Sequence, residues 1–501
     1  MDRKERLNIL FATAWLTIAG CTTVKPQQDY EQASRLIESA TGQRVTVDPE
    51  GAAVARQIAA DILADGLTAP EAVQLALLNN PRLQAGFLRI GIGRAAVVQS
   101  GLFTNPSLAL SLRFPDEGGL ANFEVSLAQN IAELWQIRPR IRAAERDLDQ
   151  TILTLAREAS LAAFDAHGAY IRAVQMDRRL EIARENLVIA QQLVELAVAR
   201  KEAGSGTEVD VNLVRAERVS LDVAYRTSLV AVIEARTNLS KILGLTTPPR
   251  ELQLADPLPQ GIDLTFTPDQ LIEAARMNRL DLKAAGAVTQ AAEARVAYER
   301  ARFLRTVELG VSMERDERRS RGDRNWLSET AWASAENGAL TPPSLQPRDP
   351  QTTDYVTGPT LAMELPVFDQ NQAQVARAEF ELLQANYLKD AIDREIVQES
   401  WAIHARAKAA FETAGFMRDE LLPLRENGLR LAREAYRVGS TTLLTVLDAQ
   451  RRLLEARGGY VDVQAAAGLA RIDLERIAGQ PFAVLSASPE QPQSETPRNE
   501  P

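Results

Sequence analysis

The sequence predicts a mainly α fold with a small β component, built from two tandem copies of one half-molecule. Three observations carry that expectation. The same helix-opening signal recurs about 200 residues apart, and four short stretches alternate apolar with polar residues. The rest is dominated by alanine- and leucine-rich runs nearly free of proline and glycine.

The first twenty residues stand outside that plan. Arg3, Lys4 and Arg6 precede an apolar run over 7–18 that is too short to span a bilayer, the pattern of a secretory signal. It ends in Ile18-Ala19-Gly20-Cys21, which resembles the lipobox of bacterial lipoproteins. That resemblance implies cleavage before Cys21, acylation of its sulfur, and a mature chain starting at Cys21. The plainer reading is a buried cysteine in an ordinary signal. Thr22 follows where aspartate would direct retention in the inner membrane, so the outer membrane is expected. Segments 1–20 and 21–66 are thus a signal peptide and an N-terminal periplasmic segment.

Composition excludes several functions. Removing the signal takes the net charge from −10 to −11, and no basic block remains to hold nucleic acid. One cysteine permits no internal disulfide, and two isolated histidines make no zinc cluster. No later apolar run reaches 18 residues, so no transmembrane helix is expected.

The duplication is read from paired motifs. Thr68 and Glu71, and 199 residues later Thr267 and Gln270, have capping-box spacing before an apolar helical run. "GTEVDVNLVRAE" from Gly206 matches "GSTTLLTVLDAQ" from Gly439 at an offset of 233, implying an insertion of 34 residues in the second copy. It falls between Glu314 and Gly358, is polar and proline-bearing, and reads as a long exposed loop. The copies are set at 67–245 and 266–479, with a linker at 246–265 and a disordered tail at 480–501.

The strands flank that insertion and its short counterpart at 115–119. Leu108, Leu110, Leu112 and Phe114 share one face, as do Phe123, Val125 and Leu127. In the second copy Val307, Leu309, Val311 and Met313 alternate with polar or small residues, and so do Leu361, Met363 and Leu365. Four strands of this pattern, in two hairpins, suit either a transmembrane barrel with a wet interior or a half-buried soluble sheet.

The remainder is helical. From about 137 to 203 one rod is expected, with Leu180, Ala183, Leu187, Ala190, Val194 and Ala197 stepping 3-4-3-4-3. Ile182, Ile189, Leu193 and Leu196 add a second stripe, so the helix should have neighbours on both sides. It turns at 202–208 and returns to about 243. The second copy should open its rod at Asp369 with Gln372 as a capping box, turn near 438–440 and return to about 477.

The plan, with "LALLNNPRLQA" (75–85), "SGLFTNPSL" (100–108), "LPVFDQNQA" (365–373) and "YRVGSTTLLTVLDAQRRLLEA" (436–456), resembles the TolC family of outer membrane factors in its lipoprotein branch. The likeness covers about 67–479. It implies a homotrimer in which each protomer gives four strands to a 12-stranded transmembrane barrel, with the helices closing into a periplasmic tunnel. A lone four-stranded sheet would leave unpaired edges in lipid, which trimerisation removes.

The resemblance also implies an efflux duct in the outer membrane, fed by an inner-membrane pump through a periplasmic adaptor protein. Adaptor docking is expected at the helix turns, around Gly206 and Gly439, whose plainer role is helix termination. The alternative is a non-conducting, lipid-anchored coiled-coil scaffold. His167 and His404 sit alone on helices and read as satisfied or solvated positions. Glu195, Glu202, Glu208 and Asp210 could bias a tunnel end toward cations, or simply solvate a helix face. No catalytic arrangement, cofactor motif or metal set stands out, and drug or metal substrates are not distinguished.

Overall fold

The computed structural model describes residues 23–44, 57, 62, 66–114, 121–245, 248, 251–259, 264–318, 326–341 and 352–486. The signal sequence, Cys21 and the short turn at 115–119 lie outside them. The chain divides into two compact units, a helical one formed by Met1–Val97, Ala144–Ala292 and Glu381–Pro501, and a β-bearing one formed by Val98–Ala143 and Glu293–Phe380.

In the helical unit each copy opens on a short helix pair. Helices α1 (Gln27–Thr41), α2 (Ala69–Asn79) and α3 (Pro81–Ser100) precede the first rod. The second copy opens with α6 (Pro268–Asn278) and α7 (Leu280–Ala301). Both expected capping boxes form: Thr68 and Thr267 each accept from the backbone N–H three residues on, and Glu71 and Gln270 accept in return. Asp29 on α1 pairs with Arg94 on α3, and Tyr30 meets the Phe87 ring edge-on, fastening the N-terminal helix.

The long rods follow. Helix α4 spans Glu133–Glu202 and returns through α5, Glu208–Ile242. At 70 residues α4 is about 105 Å long. Its buried stripe, Ala156, Ala159, Ala163, Ala166, Ala169 and Ala173, is made of side chains small enough for close helix packing. The second rod begins at Gln372, and no capping box opens it. Asp369 instead accepts from the Asn371 N–H, and Gln372 from the Gln370 N–H. That rod is broken: α9 (Gln372–Phe416), a π-helical turn (Met417–Leu421) and α10 (Leu422–Arg437) run end to end. Pro423 explains the break, because it has no N–H to give the carbonyl four residues back. Helix α11 (Leu443–Ala478) returns.

The segments expected as linker and tail both make contacts in the helical unit. The described residues 251–259 of the 246–265 linker pack against the helical core. Leu67 N–H donates to the Gln253 carbonyl, and the Leu67 carbonyl accepts from both Ala255 N–H and the buried Tyr170 hydroxyl. Asp256 accepts from Ala69 N–H at the start of α2. The tail begins later than 480, since α12 (Phe482–Ser486) buries Phe482 and Leu485 with Phe266, Phe411 and Leu474.

In the β-bearing unit, β1 (Ser107–Arg113), β2 (Asn122–Asn130), β3 (Val307–Arg318) and β4 (Thr352–Met363) form one antiparallel sheet in the order β1-β2-β3-β4. The insertion is therefore not one long loop. Strand β3 runs past Glu314 to Arg318, β4 starts at Thr352, and helix α8 (Trp326–Asn337) lies between them. Backbone pairing continues there without the apolar alternation, so the sequence pattern had no means of showing it.

A membrane-type strand face and two helix-turn tips

The register sorts the strand side chains into two faces. Straight across the sheet run Leu108, Leu127, Val311 and Pro359, and next to them Leu110, Val125, Met313 and Thr357. Leu112 and Phe123 extend this face at one end, Leu309, Leu361, Val307 and Met363 at the other. The opposite face carries Ala109, Ser126, Ser312 and Gly358, with Glu124 beside Glu314 and Arg113 donating to Glu124 at 3.2 Å. All four strands thus agree on one aliphatic face, and much of it is exposed, Leu110 at 65% and Val311 at 58%.

Aromatic rings mark the sheet's end. Phe103 and Phe303 each stand four residues before β1 and β3, and Trp135 and Phe368 five residues after β2 and β4. All four are exposed, as in the aromatic girdle of a membrane barrel. The corner beneath the first hairpin is held by Glu133, 3% exposed, which accepts from Thr104 N–H at 2.8 Å and pairs with Arg140. In the second copy Asn371 adopts φ 64° and donates to Glu299 twice, at 2.7 and 2.8 Å. Sequence reading missed both corners.

At the far ends of the rods the two turns are built alike. Gly204 N–H donates to Lys201 O and Ser205 N–H to Arg200 O, while Gly439 N–H donates to Tyr436 O and Ser440 N–H to Ala435 O. This is the Schellman arrangement, with Gly204 at φ 74° and Gly439 at φ 81°. The left-handed glycine of the first turn is therefore Gly204. Gly206 serves otherwise: a Cβ there would lie 3.0 Å from Lys201 N and 3.2 Å from Arg200 C, so it permits a close backbone approach. The turns correspond at an offset of 235, two more than the motif alignment gave.

Thr207 then caps α5 in a reciprocal box with Asp210. Arg200 links the tips, donating to Tyr436 O and Ser205 O with its guanidinium 4.4 Å from the Tyr436 ring centre. Beneath it Leu193, Ala197, Val211, Val214, Tyr436 and Val446 form a shared core. Val209 and Leu444, equivalent at the same offset, remain 75% and 65% exposed.

The other singled-out residues are dispersed. Glu208 pairs with Lys201, which holds its carboxyl below the usual range, and Asp210 is used in its cap. Glu195 and Glu202 are exposed, Glu195 accepting from Gln191. His404 lies with Nε2 2.9 Å from the Phe266 carbonyl. Burial, then the charge of Arg471, pushes His167 down to about 4, so it is neutral at pH 7. No group of three or more metal-ligand residues occurs among the described residues. Nor is any described helix long and apolar enough to cross a membrane.

Comparison with known proteins bears on this arrangement. The model of the outer membrane efflux protein family matches residues 72–245 and 271–480. The cobalt-zinc-cadmium resistance protein CzcC of Cupriavidus metallidurans is 25% identical over 422 residues, 83% of this chain and 90% of that protein. Protein CyaE of Bordetella pertussis is 29% identical over 264 residues, covering 50% of this chain and 55% of CyaE. Among solved structures, the fold matches the outer membrane protein VceC of Vibrio cholerae with a TM-score of 0.61, at 17% identity, over 83% of this chain and 96% of VceC. The CmeC outer membrane channel of Campylobacter jejuni gives 0.62 at 16% identity, over 83% and 86%.

Proposed function

Because the chain belongs to the outer membrane efflux protein family, we propose that it is the outer-membrane duct of a tripartite efflux system. Solutes would pass from the periplasm to the outside without entering lipid. The observation that carries this is the two-faced sheet. An aliphatic face common to four strands needs a hydrocarbon partner, and two open strand edges need pairing partners when surrounded by lipid. Three protomers, each giving four strands, meet both demands and place the Ser, Gly and Glu face around water. The function is conduction, with no catalytic step and no bound cofactor.

The tips are the expected docking points for a periplasmic adaptor. The paired glycine turns, tied by Arg200 and flanked by exposed Val209 and Leu444, present one apolar residue from each copy. Energy would come from an inner-membrane pump, which would also choose the substrate. The name of CzcC makes divalent metal ions one class to test; it does not exclude organic solutes. Acylated Cys21 would anchor the same molecule to the outer membrane.

Purified protein should run as a heat-modifiable trimer and give stable conductance steps in planar bilayers. A monodisperse, non-conducting species that stays soluble once Cys21 is replaced would refute the duct and favour the scaffold.

A further inference from the structure

The hydrogen-bond alternation of the sheet decides which residues offer their backbone to the two open edges. Ile131 N–H donates to Val307 O, and Glu364 N–H to Thr306 O. Odd-numbered residues of β3 therefore bond to β2 and even-numbered ones to β4. Carried outward through the register, Leu108, Leu110 and Leu112 turn their backbone groups to the free edge of β1. Tyr355, Thr357, Pro359, Leu361 and Met363 do the same on β4. These edge-facing residues all belong to the aliphatic face. Joining the two edges of neighbouring copies therefore satisfies the backbone and continues that face together.

One of these edge positions has no N–H to give. We infer that Pro359 fixes the register in which β4 of one protomer pairs with β1 of the next, by lying opposite Phe114. This rests on the barrel reading above. An unstaggered seam would put Pro359 beside Leu108, since the two are level across the protomer. A closed barrel requires a stagger, and its hand is set by strand twist. With the aliphatic face outward, the stagger advances toward the C-terminal end of β1. Opposite Leu108, Leu110 or Leu112, proline would leave a strand carbonyl without a donor inside lipid, at all three seams. Phe114 follows the last residue of β1, where the carbonyl lies at the rim within reach of water. In that register Leu112 faces Leu361 and Leu110 faces Met363 of the next copy. On the polar face Ser111 meets Ala362.

Cysteine crosslinking tests this directly, because Cys21 is the only native cysteine. Ser111 and Ala362 bond inward to β2 and β3, so across the seam they form a non-hydrogen-bonded pair, about 4.5 Å between Cα atoms and close enough for a disulfide. In outer membranes treated with a mild oxidant, S111C/A362C should convert the heated monomer band into linked dimers and trimers. S111C/T360C, the register two residues away, should leave it unchanged. The reverse outcome, or equal linking of both pairs, overturns the assignment. If neither pair links while unheated protein still runs as a trimer, the register is wrong but the barrel stands. If no trimer forms without cysteines, both fail together.

Discussion

Val311 and Ser312 are neighbours on β3 and belong to opposite faces, so they separate the duct from a water-soluble scaffold. Val311 lies between Leu127 and Pro359 on the aliphatic face, and Ser312 between Ser126 and Gly358 on the polar one. Arginine on the lipid side of a barrel costs about 2–4 kcal/mol near the bilayer midplane. A trimer carries three copies, so Val311→Arg should cost about 6–12 kcal/mol per assembled barrel. Since about 1.4 kcal/mol is tenfold, assembly should fall by four orders of magnitude or more, to undetectable levels. Ser312→Arg places its charge in water, two residues from Glu314, and should stay within about 1 kcal/mol of the parent. The assay is the yield of heat-modifiable trimer in outer membranes at matched expression, backed by denaturant titration in vesicles. Equal trimer yields for the two variants would refute the face assignment, and with it the conducting barrel.

Other expectations bear on the tips and rods. Thr207→Ala removes one half of a reciprocal cap and should cost about 1 kcal/mol per protomer, read as a lower denaturation midpoint with unchanged slope. Gly204→Asn should be tolerated, since asparagine accepts the left-handed region, whereas Gly206→Asn should disturb the turn by driving Cβ into Lys201 and Arg200; melting temperatures rank the two. Arg200→Ala removes the tie to Tyr436 and should lower efflux complementation while leaving trimer yield intact; equal loss of trimer would make its role structural only. His167 titrates near 4 when folded and near 6.5 when unfolded, so the unfolded chain binds more protons between those values and stability falls as pH drops from 6.5 to 4. The fall should reach about 3 kcal/mol, and His167→Gln should remove it from a pH series of unfolding midpoints.

What could be read from the sequence was whatever repeats with a side-chain period. The strand faces, the first rod and the Thr68 and Thr267 caps all rest on spacing and formed as expected, whereas the second rod is broken at Pro423. What stayed hidden depends on backbone or on distant partners. Strands β3 and β4 extend past their apolar stretch because pairing needs only peptide groups. The tip alignment chose Gly206 because a motif match cannot show which of two glycines, two residues apart, has positive φ. The link from Arg200 to Tyr436 spans 236 residues and has no local signal. The expected box at Asp369 and Gln372 had the right spacing, but its residues were committed to the Asn371 corner instead.

That corner shows what duplication preserves. In the first copy the passage from strand to rod is held by a buried carboxylate, Glu133, bound to a backbone N–H and Arg140. In the second it is held by a buried amide, Asn371, at a left-handed backbone position, with Arg305 pairing to Asp369 nearby. The chemistry differs, yet each corner delivers its rod from an aromatic-flanked strand end. The rods diverge as well, α4 continuous and its counterpart broken at Pro423 by a π-helical turn. Neither difference alters the Schellman turns that close the rods or the two-faced register of the strands. The shared requirement is therefore geometric: a paired strand before each rod and a glycine turn after it. Residues within each copy are free to vary wherever another side chain can hold those two ends in place.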